Sequence, residues 1–202
     1  LKNILLFIFL ILELYSQNKL ILLTIDDGPN KYTRPIAEKL VSNNISAVWF
    51  MIGENVIRYK ETVNYIIDNG FVIGNHTMTH NYSNYKMLGM EGIKQREIYP
   101  VNLILKTNFN YNIKYFRAPY GLYNNNIQGA VRELDMINVY WTLFYDSCTK
   151  EFFNLLSTSK RDYEIILLHN NKYILDNLDS LIIELKKTGT FVSIEKLKNK
   201  FQ

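Results

Sequence analysis

From residue 20 onward, short runs of apolar residues alternate with longer stretches in which apolar and polar positions recur every three or four residues. Short apolar runs bounded by turn residues are typical of buried strands, and the longer periodicity is that of amphipathic helices. Strands are expected at residues 20–25, 47–52, 71–73, 115–117, 137–141, 165–168 and 191–194. Helices are expected between them at 34–43, 55–68, 87–107, 125–134 and 172–187, the last stopped by Gly189. Such alternation predicts a single α/β domain built on a parallel sheet, either open and doubly wound or closed into a barrel. No repeat or Pro/Gly-rich linker interrupts it.

Ahead of this pattern, Lys2 precedes an apolar run at residues 4–12, which Glu13 and the polar residues Ser16, Gln17 and Asn18 follow. A bilayer-spanning helix needs about 20 apolar residues, and this run is far shorter. Its proportions are those of a signal peptide. Residues 1–17 are therefore expected to be a leader that directs export, with membrane attachment only if it is retained, and residues 18–202 the working domain.

Composition narrows the picture. In 202 residues, 48% hydrophobic and 14% aromatic content supplies one core and excludes a disordered chain. Lys and Arg number 23 against 19 Asp and Glu, a net charge of +4 with no basic run, so nucleic acid is not an expected partner. The lone cysteine, Cys148, excludes an intrachain disulfide and a cysteine-based metal site. Any metal must be held by His and carboxylate.

The polar residues with chemical potential gather at strand ends. Asp26 and Asp27, His76 and His80, Arg117, Asp146 and His169 all fall at or just beyond the carboxyl end of an expected strand, where parallel α/β folds carry their sites. Contributions from five strands suit a barrel better than an open sheet. Adjacent strand residues point to opposite sides, so Asp26 and Asp27 are expected to do different work, one as a metal ligand and the other as a base. His76 and His80 are four apart, which puts both imidazoles on one face if the segment turns helically. Two His and one Asp would make a three-ligand site with positions open to water and substrate, and nitrogen donors favour zinc or a similar transition metal over magnesium.

These features lead to a resemblance. Thr24-Ile25-Asp26-Asp27-Gly28-Pro29, His76-Thr77-Met78-Thr79-His80, Arg117-Ala118-Pro119-Tyr120-Gly121 and Leu167-Leu168-His169 resemble, in order, the first, second, third and fifth motifs of the polysaccharide deacetylases, the NodB-like family 4 of the carbohydrate esterases. The resemblance runs from about Leu20 to Leu197 and implies a distorted (β/α)7 TIM-like barrel. It implies a metal-dependent hydrolase that removes N-acetyl groups from N-acetylglucosamine units of chitin, chitooligosaccharide or peptidoglycan, secreted or at the cell surface, and a monomer. Asp27, His76 and His80 would hold one divalent metal, zinc or alternatively cobalt. Asp26 would be the base, Arg117 its orienting partner and His169 the acid. Pro119 and Tyr120 would lie at the substrate, with the Tyr120 backbone N–H at the oxyanion, and Leu167 would line the acetyl pocket.

The fourth motif departs from the family. Trp141 is present, but Phe144 sits near the position of the first of two expected Asp residues, Asp146 matches the second only across a one-residue gap, and Ser147 stands where a pocket Trp belongs. The expectation is a looser pocket, with Asp146 orienting His169. A related amidase or O-deacetylase, and a wall-binding pseudoenzyme, are the alternatives.

Overall fold

The computed structural model describes residues 19–146 and 149–201. The expected leader, and the expectations for Ser147 and Cys148, lie outside the described residues. The strands are β1 (Lys19–Gly28), β2 (Ala47–Met51), β3 (Val72–Asn75), β4 (Tyr115–Phe116), β5 (Ile137–Asn138), β6 (Leu143–Phe144), β7 (Tyr163–His169) and β8 (Gly189–Phe191). The helices are α1 (Thr33–Ser42), α2 (Gly53–Arg58), α3 (Lys60–Asp68), α4 (Tyr82–Met87), α5 (Met90–Ile93), α6 (Tyr99–Phe109), α7 (Asn125–Glu133), α8 (Thr149–Thr158), α9 (Lys172–Thr188) and α10 (Ile194–Leu197).

The strands run in the order β5-β4-β3-β2-β1-β7-β6, all pairings parallel, while β8 pairs with the start of β1. The sheet is a curled half-barrel surrounded by helices, the fold class the family resemblance implied. Its two edges, β5 and β6, are consecutive in sequence. The chain between them changes partners, with the Val139 N–H donating to Phe116 on one side and the Thr142 N–H to Ile165 on the other.

Strand alternation sorts the residues into two layers. Ile21, Leu23 and Ile25 of β1 face the helices together with Trp49, Met51, Ile166 and Leu168. Leu22, Val48, Phe50, Tyr115, Val139 and Ile165 fill the interior of the curl, which Ile194 and Leu197 of α10 help to fill. Counting on by twos along this inner face leads from Leu22 to Thr24 and Asp26, from Tyr115 to Arg117, and from Ile165 to Leu167 and His169. The same parity that packs the interior therefore delivers the polar groups at its rim. Gly74 makes room for this layer, because a Cβ there would lie 2.4 Å from the Phe50 ring.

Several expected elements need correction. The helix expected at 55–68 is two helices, α2 and α3, which meet at Tyr59. The stretch expected as one helix at 87–107 is interrupted, with α5 passing through a π-helical turn at Lys94–Ile98 into α6. Gly189 does not stop α9 in a left-handed turn. It is extended (φ −169°) and begins β8, where a Cβ would lie 2.3 Å from the Lys19 carbonyl oxygen, so close backbone approach requires the glycine. Strand β6 and helix α8 were not anticipated. The apolar residues of α8 come as the adjacent pairs Phe152-Phe153 and Leu155-Leu156, of which only Phe152 and Leu156 are buried, which blurs the helical period.

Candidate active site

A cavity of about 280 Å³ opens at the carboxyl ends of the strands, lined by Asp26, Asp27, His76, His80, Ala118, Tyr120, Gly121, Trp141, Phe144, Leu167 and His169. Strand register sets its frame. Asp26 lies directly opposite His169 across the β1–β7 pair, and both follow from the inward parity of their strands.

Asp27 should point away on that rule, yet it lines the cavity too. The register of β1 against β2 shifts between Ile25 and Gly28, and Asp27 adopts a left-handed backbone (φ 69°), so the two carboxylates turn into one site. They still have different partners. Asp26 is buried, and its Oδ1 accepts from Arg117 Nη1 at 2.9 Å while Oδ2 lies 3.7 Å from His76 Nε2. Asp27 Oδ1 lies 3.5 Å from His76 Nε2 and 3.2 Å from His80 Nε2, and Oδ2 lies 3.9 Å from His169 Nε2.

His76 and His80 do not share a helical turn as the spacing suggested. The segment between them is a loop in which Thr77 (φ 69°) and His80 (φ 56°) are left-handed, and this path swings the second imidazole back beside the first, ring centroids 4.9 Å apart. His76 Nδ1 lies 2.8 Å from the Arg117 carbonyl oxygen. With its proton donated there, Nε2 presents its lone pair to the cavity, which is the tautomer a metal ligand needs.

Arg117 is fully buried and satisfies four acceptors: Thr24 Oγ1 (2.7 Å), Asp26 Oδ1 (2.9 Å), the Val139 carbonyl (2.9 Å) and the Tyr140 carbonyl (3.4 Å). The guanidinium lies 4.3 Å from the Phe50 ring centroid and 5.6 Å from that of Trp141. It thus ties Asp26 to the place where the sheet changes partners. Thr24 and Trp141, which complete this cradle, were placed in motifs but given no role beside Arg117, although both positions could have been found by counting inward from the strands.

The electrostatics follow from the crowding of these groups. Burial pushes the Asp27 carboxyl up, but the contact with and charge of His76, and the charges of His80 and His169, outweigh it and hold it below its ordinary 3.8. For fully buried His76, burial disfavours the cation, yet Asp26 and Asp27 raise its pKa above 6.5. His80 is lowered, by burial and then by the neighbouring His76 charge.

Asp27, His76 and His80 offer ligand atoms all within 4.8 Å of one another. Asp27 Oδ1 is buried without a hydrogen-bond partner among the described residues, although two imidazole nitrogens face it. An orphaned carboxylate oxygen is costly, and a cation held among these three groups removes the cost. The residues therefore fit a divalent metal with three protein ligands.

The remaining walls are apolar and aromatic. Tyr120 (φ 59°) packs its ring against that of His80 at a tilt of 58°, centroids 4.6 Å apart, and its hydroxyl donates to the His80 carbonyl at 3.1 Å. Pro119, expected at the substrate, is buried in the short turn Pro119–Gly121 and is not among the residues that line the cavity. Leu167, opposite Thr24 and two residues before His169 on β7, also lines the cavity, and Phe144 meets the His169 ring edge-on at 5.2 Å. Asp146 lines a neighbouring cavity of about 330 Å³ that shares the Trp141 and Phe144 walls. Phe144 was unmarked in the sequence as a site residue, because strand β6 has only two residues and no alternation to read.

The family model described as polysaccharide deacetylase matches residues 15–139. A peptidoglycan-N-acetylglucosamine deacetylase of Bacillus cereus is 31% identical over 87% of this chain, and a bifunctional xylanase/deacetylase of Pseudobutyrivibrio xylanivorans is 30% identical over 90%. The chain spans 66% and 31% of those relatives' lengths, respectively. Among solved structures, the peptidoglycan deacetylase PdaC from Bacillus subtilis superposes with a TM-score of 0.75 at 25% identity, covering 91% of this chain and 92% of that one.

Proposed function

The chain belongs to the polysaccharide deacetylase family, and from that premise we propose that it hydrolyses the N-acetyl groups of N-acetylglucosamine units in a wall polysaccharide, peptidoglycan or chitin. The observation that carries the reading is one cavity holding a three-ligand cluster, a carboxylate fixed by a buried arginine, and a histidine facing that carboxylate from the adjacent strand.

Asp27, His76 and His80 would hold the metal, and the two imidazole nitrogens favour zinc. When bound, it supplies Lewis acidity toward water and toward an acyl oxygen. Asp26 accepts the proton of the attacking water, with its Oδ1 kept in place by Arg117 and its Oδ2 free to face the cavity. Attack on the acetyl carbon makes a tetrahedral oxyanion, to which the Tyr120 backbone N–H donates, a contribution of about 3–4 kcal/mol for a preorganised donor. His169 gives a proton to the departing nitrogen as the C–N bond breaks, leaving acetate and a free amine. Leu167, Trp141 and Phe144 shape the wall against which the acetyl methyl lies.

Relatives named for peptidoglycan support action at the wall, and so an exported protein. Among the described residues no helix is long and apolar enough to cross a membrane. The test is incubation of zinc-loaded protein with chitin oligomers, with peptidoglycan and with acetylated xylan, reading acetate and product mass. Loss of one acetyl per glucosamine unit from either of the first two is expected. Release from xylan alone would make it an O-deacetylase, and release from none a binding protein.

A further inference from the structure

Glu97 is a buried carboxylate that none of the steps above uses. It is 1% exposed and sits in the π-helical turn Lys94–Ile98, behind the loop that joins the two histidines. Its origin is legible in the chain. Pro100 has no N–H to give the Arg96 carbonyl and its ring crowds that oxygen, so a regular helix cannot run through this point. The helix widens into a π turn, a form frequent at functional sites.

The widened turn grips the histidine loop at both ends. At the near end, Asn75 Nδ2 donates to the Ile98 carbonyl and to Asn102 Oδ1, each at 2.8 Å, and Asn75 Oδ1 accepts the Thr77 N–H at 2.7 Å. At the far end, Glu97 Oε2 accepts the Thr79 N–H at 3.0 Å and Oε1 accepts the Thr79 hydroxyl at 2.8 Å, while Asn84 Nδ2 also donates to Oε1. Two residues of this loop have a backbone conformation that side chains disfavour: Thr77, at the near anchor, and His80, directly after the far one. Such a loop persists only when its surroundings over-determine it. Thr79 immediately precedes His80, so the carboxylate acts one residue from the second imidazole.

We propose that Glu97 is a positioning residue of the metal site, holding the 77–80 loop in the strained path that brings the His80 imidazole to Asp27. The inference rests on the metal-site part of the functional reading and needs no turnover for its test. Outer-shell partners of this kind typically change metal affinity about 10- to 100-fold when removed.

The experiment measures zinc affinity by chelator competition, the visible absorption of the cobalt-substituted protein, and the urea midpoint of the metal-free protein. The variants are Glu97→Ala, Glu97→Gln and Thr79→Val. A control is Glu164→Gln, at a buried carboxylate beside Lys19 at the opposite end of the β1–β7 pair. Glu97→Ala should weaken zinc by about 10- to 100-fold and alter the cobalt spectrum. Glu97→Gln should recover most of this, because its amide oxygen still accepts the Thr79 N–H. Glu164→Gln should lower the urea midpoint and leave affinity and spectrum alone.

Parent-like zinc affinity in Glu97→Ala overturns the proposal, as does a loss in Glu164→Gln that matches it at equal destabilisation. If Glu97→Ala does not fold, Thr79→Val decides: weaker zinc supports the proposal and unchanged zinc overturns it. A parent that binds no zinc overturns the metal site and this inference together, whereas a parent that binds zinc without releasing acetate leaves the inference standing.

Discussion

Replacing Arg117 by Met removes a cation that nothing else in the cradle can replace. The pair it forms with Asp26 is buried on both sides, at 0% and 4% side-chain exposure, and its charges lie 2.9 Å apart. At an effective dielectric constant of about 20, that separation corresponds to roughly 6 kcal/mol of attraction, most of it offset by desolvation while the pair is intact. Once Arg117 is gone the offset remains and the attraction does not, so the carboxylate is left buried and uncompensated, at a cost of about 3–5 kcal/mol. The Val139 and Tyr140 carbonyls lose their donor as well.

With a urea slope of about 2 kcal/mol/M, the midpoint should fall by roughly 1.5–2.5 M. Trp141 is next to the guanidinium and gives the fluorescence signal for the transition. The double variant Arg117→Met/Asp26→Asn carries no stranded charge and should be more stable than Arg117→Met alone, by about 1–3 kcal/mol. Arg117→Lys should not restore turnover, because an ammonium cannot reach four acceptors in the plane between Phe50 and Trp141. Both single variants should lose on the order of 100-fold in acetate release through misplacement of the base. A double variant no more stable than Arg117→Met, or Arg117→Met within about 1 kcal/mol of the parent, would refute the argument that the ion pair is what Arg117 contributes.

The adjacent carboxylates can be separated by their products. Asp27→Ala should lose both zinc and turnover, whereas Asp26→Asn should keep zinc and lose about 100- to 10,000-fold in rate, and equal loss of zinc in both would make both of them ligands. Phe144→Ala opens the wall beside His169 and Leu167, so discrimination of acetyl against propionyl substrate should fall by about 10-fold, as one methylene is typically worth, with unchanged preference meaning that the acyl group lies elsewhere. In metal-free protein the Asp27 carboxyl is held below 3.8, so on acidification the unfolded chain takes up the proton first; the stability it contributes is complete above that value and is lost as pH falls through the folded one. The urea midpoint of the parent should therefore drop more steeply than that of Asp27→Asn as pH falls from about 5 to about 3, and parallel curves would count against the assignment.

The sequence by itself determined the parallel α/β architecture and most of the residues at the cavity. Both follow from strand periodicity: Leu22, Thr24 and Asp26, or Ile165, Leu167 and His169, share a face because side chains alternate, and a chain that buries the first member of each series must bring the last to the rim. Motif order added the family. What alternation could not reach was decided by departures from it. Asp27 joins Asp26 only because β1 shifts register and Asp27 turns left-handed, and His80 reaches His76 through a strained loop rather than a helical turn. That Glu97 grips the histidine loop and that Phe144 lines the cavity were invisible for a related reason. One is placed by a π turn that breaks the 3.6-residue period and the other by a two-residue strand, and neither leaves a periodic trace. Arg117 could be named from its motif, but its link between Asp26 and the break in the sheet depends on carbonyls of Val139 and Tyr140 that lie 22 and 23 residues away in the chain. Local pattern records which way a side chain points within its own element. Which groups then meet is set by the register and closure of the whole sheet, and these exist only once the chain has folded.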